Sequence, residues 1–182
     1  AGSVTAQFTI TVATPQVGSW LPADAMYQGR FRHTATLLTD GRVLVAAGNR
    51  KQAVSSAELY DPATNSWART GGLGRSRQAH SATLLPDGRV LVVGGYGTGG
   101  GNALSSAELY DPVAGRWSQA GSLSQQRDSH TATLLRDGRV LVAGGEGQGG
   151  TKGALSSAEL YDPATNTWSP AGSLGQPRKQ HT

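Results

Sequence analysis

The phrase Ser-Ser-Ala-Glu-Leu-Tyr-Asp-Pro occupies Ser55–Pro62 and returns unchanged at Ser105–Pro112 and Ser156–Pro163. Each copy lies in a longer frame: His-x-Ala-Thr-Leu-Leu, Asp-Gly-Arg-Val-Leu-Val, a glycine pair, the phrase, and then a tryptophan. Self-similarity at a period of about 50 residues is typical of stacked architectures in which each unit packs only on its neighbours. The repeat therefore decides the fold, although it does not identify a ligand.

Each unit predicts four short strands, which the first unit illustrates. Strand one is His33–Leu38, and the dipeptide Asp40-Gly41 that follows is a tight-hairpin signal, because glycine tolerates positive φ. Strand two, Val43–Ala47, is apolar without alternation, as a strand buried on both faces should be. Strand three is Ala57–Tyr60, and strand four centres on Trp67. No segment shows a sustained helical period, so the units are all-β.

The length differences between units fall in one loop. From the glycine pair to the first serine of the phrase the chain advances by 7, then 10, then 11 residues, whereas every tryptophan precedes its histidine by 13. Variation confined to one loop on a fixed scaffold is typical of binding loops. We therefore expect a binding face that uses Arg50, Lys51, Tyr96, Asn102, Glu146 and Lys152.

The frame resembles the kelch repeat, in which a glycine pair such as Gly94-Gly95 precedes a tyrosine, here Tyr110, and a tryptophan seven residues later. The first unit departs from the pattern with Ala47-Gly48, where a methyl is tolerable unless the backbone needs positive φ. The resemblance implies one four-stranded blade per unit, and hence an all-β, kelch-type β-propeller segment of about three blades within residues 16–182. The predicted blades are approximately 30–70, 77–120 and 127–171, with partial repeats at both ends.

The His-Thr-Ala-Thr-Leu-Leu wording is also similar to exported bacterial kelch proteins and to the galactose-oxidase-like propeller. This resemblance implies an extracellular or cell-surface location and a binding or scaffold role. Residues 1–15 are predicted separately: Phe8, Ile10 and Val12 alternate with threonines and resemble the last strand of an immunoglobulin-like domain. The alternative is an extra strand docked on the propeller.

The candidate chemical groups recur once per unit, which favours structural roles. The histidines His33, His80 and His130 are expected to make hydrogen bonds between blades rather than to hold a metal. The acids Glu58, Glu108 and Glu159 are expected to pair with the arginines that precede each histidine by three, and Trp67, Trp117 and Trp168 are expected in the core. The chain has no cysteine, so the cysteine–tyrosine centre of the copper oxidases does not carry over. The sequence predicts no cofactor and no catalytic residue.

Charge predicts the class of partner. The face with the variable loops and the links between blades carries ten basic residues against three acidic ones, which favours a protein or an anionic glycan as partner. Tyr96 is the only aromatic residue interleaved with those charges, which disfavours nucleic acid. No apolar run approaches the roughly 20 residues of a membrane helix. The ten basic residues of the face with the variable loops are Arg30, Arg32, Arg50, Lys51, Arg75, Arg77, Arg127, Lys152, Arg178 and Lys179.

Two alternatives to a binding module stay open. The chain could be the non-catalytic part of a galactose-oxidase-like copper enzyme. It could also be an assembly protein: propellers close with roughly 4–8 blades, so three blades leave open edges through which chains associate. On the same ground we expect the sequence to be cut from a larger protein or to complete its ring with another chain.

Overall fold

The computed structural model describes residues 22–98, 102–147 and 153–181. The predicted strand within residues 1–15, Trp20 and Lys152 lie outside the described residues. No helix in the described ranges could span a membrane. The first blade contains β1 (Thr34–Leu37), β2 (Val43–Ala46), β3 (Ala57–Asp61) and β4 (Ser66–Thr70). The second contains β5 (Ser81–Leu84), β6 (Val90–Val93), β7 (Ala107–Asp111) and β8 (Arg116–Ala120). The third contains β9 (Thr131–Leu134), β10 (Val140–Ala143), β11 (Glu146–Gly147), β12 (Gly153–Asp162) and β13 (Thr167–Arg178).

Every blade is an antiparallel meander. The order is β1-β2-β3-β4 in the first blade and β5-β6-β7-β8 in the second, and the third follows β9-β10-β12-β13 with β11 paired to β12. The first strands of successive blades contact one another, so they lie innermost, and the tryptophan strands lie outermost. The prediction of an all-β propeller segment with an open ring is confirmed.

The hydrophobic core lies between the blades. Leu44 and Ala46 of β2 pack with Val90, Val92 and Tyr110 of the second blade. The same contact repeats between the second and third blades, where β6 meets β10 and Tyr161. Because both faces of a second strand meet apolar neighbours, these strands are apolar without alternation.

Each recurrent tryptophan lies half-buried at a blade boundary rather than fully inside the core. Trp117 packs its ring 5.0 Å from the ring centre of Tyr110, and its Nε1 donates a hydrogen bond of 2.7 Å to the carbonyl oxygen of Gly71. Trp168 does the same with the carbonyl of Gly121, and Trp67 with that of Asp24. The tryptophans therefore join a blade to the link that enters it.

In the first unit, alanine replaces the first glycine of the pair at position 47, and the backbone there has positive φ. Ala47 has φ of 54°, close to the 59° of Gly94 and the 63° of Gly144 at the equivalent positions. An L-residue in this left-handed region costs about 1–2 kcal/mol. The exception foreseen from the sequence, a backbone that needs positive φ, therefore applies, and the methyl group of Ala47 is accommodated at a cost.

The recurrent arginine connects one blade to the next. The main chain of Arg77 bonds to the first blade, with its N–H donating to Val54 and its carbonyl accepting from the N–H of Gly48. Its guanidinium reaches into the second blade, where it pairs with Glu108 at 2.6 Å and donates to the carbonyl of Ser106. The same pattern joins Arg127 to Glu159 at 2.9 Å, and Arg30 pairs with Glu58 at 2.5 Å.

These three ion pairs change the charge expected for the variable-loop face. The side chains of Arg30, Arg77 and Arg127 are almost fully buried in the structure. Lys179 is also paired, with Glu146 at 2.8 Å. The ratio of ten basic to three acidic residues therefore overstates the positive charge available to a partner.

Candidate binding site at the propeller axis

The histidines link neighbouring blades. The Nε2 atom of His80 shares a hydrogen bond of 2.9 Å with the hydroxyl of Thr34, and His130 shares one of 2.8 Å with Ser81. Burial, helped by the charge of the nearby arginine, lowers the pKa of both imidazoles to about 3. Both rings are therefore neutral at pH 7. No group of His, Asp and Glu within the described ranges is arranged to hold a metal ion.

The residue before each histidine forms a collar around the axis, which we define as Arg32, Ala79, Ser129 and Gln180. All four have φ of 52–53°, in the left-handed region. From Ala79 onward, each collar residue donates its main-chain N–H to the carbonyl of the collar residue before it, over 3.1 Å from Ala79 and 2.9 Å from Ser129 and Gln180. Non-glycine residues in this region cost free energy and cluster at functional sites.

A pocket of about 590 Å³ opens inside the collar. Its volume lies within the range of small-ligand sites. Main-chain bonds hold Tyr96 beside Gln78, at 3.0 and 2.7 Å, and hold Glu146 beside Asp128 at the same distances. The strand-like pairing brings side chains of the variable loops next to those of the blade links. The lining residues are Arg32, His33, Gln78, Ala79, His80, Tyr96, Asp128, Ser129, His130, Glu146, Gln180 and His181.

The units differ from one another around this pocket. At three positions no two units share a residue: two before the histidine, one before the histidine, and directly after the glycine pair. The arginine three residues before the histidine is, in contrast, the same in all four copies. Residues that repeat serve the contacts between blades, as the arginines do. Residues that differ are free of that requirement, so they are the ones available for recognition. The three sets are Phe31, Gln78, Asp128 and Lys179; Arg32, Ala79, Ser129 and Gln180; and Asn49, Tyr96 and Glu146.

Asp128 is a buried acid in the wall of the pocket. The residue is 7 % exposed, and its Oδ1 accepts a hydrogen bond of 2.8 Å from the Ser129 hydroxyl. Burial raises the pKa of this carboxyl, and the negative charge of Glu146 raises it further, against the opposing effects of the Ser129 hydroxyl, Lys179 and Arg32. The acidic side of the pocket thus belongs to the third blade, whereas Arg32 lies on the first.

The structure brings two of the six predicted binding residues into the pocket, Tyr96 and Glu146. Arg50, Lys51 and Asn102 are exposed in loops at the same end of the blades; we call these three residues the rim. Sequence reasoning missed the pocket's Gln78 and Asp128. The signal that could have found them is the difference between units two positions before each histidine.

Similarity to known proteins identifies the family of this fold. A family model described as the kelch motif matches residues 30–73, 79–124 and 129–175. The chain belongs to the kelch family. Its three kelch matches correspond to the three blades. One similar solved structure is reported as "Structure of YjhT", with a TM-score of 0.74 and 19 % identity over 88 % of this chain and 57 % of that chain. The chain thus spans little more than half of that protein, and the likeness shows the fold alone. No curated protein matches the chain.

Proposed function

We propose that this kelch chain is a non-catalytic binding module that recognises a partner protein at the axial pocket and its rim. Kelch repeats generally mediate protein–protein interaction. The observation that carries the proposal is the variation between units: the phrase, the arginine and the pocket histidines repeat, while the other residues that line the pocket differ from unit to unit.

The recurrent groups that could perform acid–base chemistry are already bound within the fold. The carboxylate of Glu108 accepts hydrogen bonds from the Arg77 guanidinium and from the main-chain N–H of Gly74, at 2.6 and 2.7 Å. Glu159 is held in the same way by Arg127 and the N–H of Ser124. These contacts support a structural role for the glutamates, and therefore binding rather than catalysis.

An anionic glycan is the second candidate partner, and the rim favours it. Arg50 and Lys51 are exposed there and have no ion-pair partner among the residues that the structure describes. Their attraction to an anion would weaken as salt rises, because exposed charges are screened. The extracellular location, the copper-enzyme alternative and self-association through open blade edges remain predictions.

The test is partner capture from extract and culture medium of the source cells with three immobilised proteins. They are the wild-type chain, a pocket variant carrying Tyr96→Ala and Glu146→Ala, and a control carrying Asp87→Asn in the hairpin at the opposite end. We expect mass spectrometry to find a protein that the wild type and the control retain and the pocket variant loses. Equal retention by all three would refute the site. A glycan array probed with the wild-type chain and with a variant carrying Arg50→Ser and Lys51→Ser tests the second candidate, an anionic glycan.

A further inference from the structure

Asp128 is a buried carboxylate whose charge has no cation in contact with it. Among the described residues, its one side-chain hydrogen bond comes from the Ser129 hydroxyl, and no lysine or arginine lies within ion-pair distance of it. A buried charge is costly unless it is paired and hydrogen-bonded. This carboxylate lines an open pocket, so a ligand could supply the missing partner.

The neighbours of Asp128 add acceptors to the same pocket. Gln78 is 8 % exposed, and its Oε1 has no hydrogen-bond partner. Glu146 lines the same side, and it already holds one ammonium group, that of Lys179, from outside the pocket. Tyr96, which also lines the pocket, offers an aromatic ring, and aromatic faces attract cations. Two carboxylates, an unpaired amide oxygen and a tyrosine are suited to a ligand that donates N–H groups.

We propose that the axial pocket binds the side chain of an arginine or lysine from the partner protein, with Asp128 as its counter-ion. This inference rests on the proposed function and names the chemistry of its central contact. An arginine suits the site especially, because a planar guanidinium can donate to a carboxylate and a neighbouring amide oxygen at once.

The other charged ligands fit less well. An anion entering the pocket would meet the carboxylates of Asp128 and Glu146, while Arg32 is the one basic residue among those that line it. Two of the pocket histidines add no positive charge, since burial keeps His80 and His130 neutral at pH 7. A metal ion would need several converging ligands, and the described residues offer no such group. The pocket therefore favours a cationic group of the ligand, whereas the basic rim favours an anionic one.

The experiment titrates the full ¹⁵N-labelled chain with N-acetyl-arginine amide and, separately, with the neutral isostere N-acetyl-citrulline amide. We expect saturable shifts of the amide signals of Tyr96, Asp128 and Ser129 with the arginine probe. The citrulline probe should bind at least about tenfold more weakly, because it lacks the charge that strengthens the hydrogen bonds. The titration extends to about 50 mM, because a single side-chain contact supports no more than millimolar affinity.

Two variants sharpen the result. Asp128→Gln reproduces the residue that the second unit carries at this position, so we expect it to fold, and its affinity for the arginine probe should fall about tenfold as a charge-assisted bond is lost. Asp87→Asn, in the distant hairpin, should bind like the wild type. In ¹³C-carboxyl NMR of the wild type, the arginine probe should lower the pKa of Asp128, whereas the citrulline probe should not.

Equal affinity for the two probes, unchanged binding in Asp128→Gln, or no saturable binding at all would each overturn the inference. The assay needs no natural partner, so its failure is distinguishable from failure of the proposed function. If the probe does not bind while partner capture still depends on Tyr96 and Glu146, the binding site stands and the cationic contact is wrong.

Discussion

Replacing Arg127 by methionine tests whether the recurrent arginine holds one blade to the next. The guanidinium donates to the carbonyl oxygens of Gly144 and Ser157, at 2.9 and 3.0 Å, and pairs with Glu159 at 2.9 Å. Methionine would leave a carboxylate that is 4 % exposed without its counter-ion. Removing one partner of a buried ion pair costs about 3–5 kcal/mol. Arg127→Met should therefore lower the free energy of unfolding by about that amount.

The chain supplies its own matched control for this substitution. Arg178 is the same repeat position after the third blade, but it is exposed, and no glutamate pairs with it in the described part of the chain. Arg178→Met should change the free energy of unfolding by no more than about 0.5 kcal/mol, as is usual for surface substitutions. The assay is urea unfolding followed by tryptophan fluorescence, with Trp117 and Trp168 reporting on the blade boundaries.

A third variant separates the lost ion pair from lost packing. Replacing both members, as in Arg127→Met with Glu159→Leu, removes the stranded carboxylate, and such exchanges are often neutral or stabilising. The double variant should recover much of the stability that Arg127→Met loses. If Arg127→Met and Arg178→Met have equal effects, or if Arg127→Met costs less than about 1 kcal/mol, the arginine does not connect the blades as described.

Three further predictions concern pH and backbone strain. His80 and His130 have an ordinary pKa of 6.5 and a folded pKa of about 3, so stability present above pH 6.5 should be lost as pH falls toward 3. At pH 5 the loss in the free energy of unfolding is about 2 kcal/mol for each histidine. In urea unfolding, the variant carrying His80→Gln and His130→Gln should lose less stability than the wild type as pH falls. An unchanged dependence of stability on pH would contradict the burial argument. Asp128→Gln should stabilise the fold at pH 7, because a carboxyl with a raised pKa disfavours folding once ionised. That advantage should vanish below pH 3.8, the ordinary value, and thermal unfolding at both pH values checks it. Ala47→Gly should raise stability by up to about 1 kcal/mol in urea unfolding, since glycine relieves the left-handed strain; a loss would show that the methyl group contributes packing.

The repeat made most of the blade predictable because strand pairing is local. Asp40-Gly41 requires a hairpin, and the uninterrupted apolar run Val43–Ala46 requires burial on both faces, so neither depends on distant parts of the chain. Strand order follows from the repetition of one unit, and the open ring follows from there being three units where closure takes roughly 4–8.

The axial pocket could not be predicted in the same way. It depends on the left-handed conformation before each histidine, and those positions carry Arg, Ala, Ser and Gln, none of which marks that conformation as glycine would. The pocket also joins residues from two segments, such as Gln78 and Tyr96, whose pairing appears only in the folded chain.

The net charge of the face with the variable loops was predicted poorly for a related reason. Counting places Arg77 on the variable-loop face, because its main chain lies in the link there. Its side chain instead turns into the next blade and meets Glu108, which is far from it in sequence. A count of charges cannot distinguish a guanidinium in solvent from one buried in an ion pair.

The most direct test of the binding account permutes the pocket without changing its composition. A variant carrying Gln78→Asp, Tyr96→Glu, Asp128→Gln and Glu146→Tyr exchanges the second and third units' residues at equivalent positions, so net charge and fold should be preserved. The measurement is its dissociation constant for the protein that the wild-type chain captures, beside its urea midpoint. We predict a nearly unchanged midpoint and lost binding. A folded variant that binds with the wild-type dissociation constant would contradict recognition through these residues.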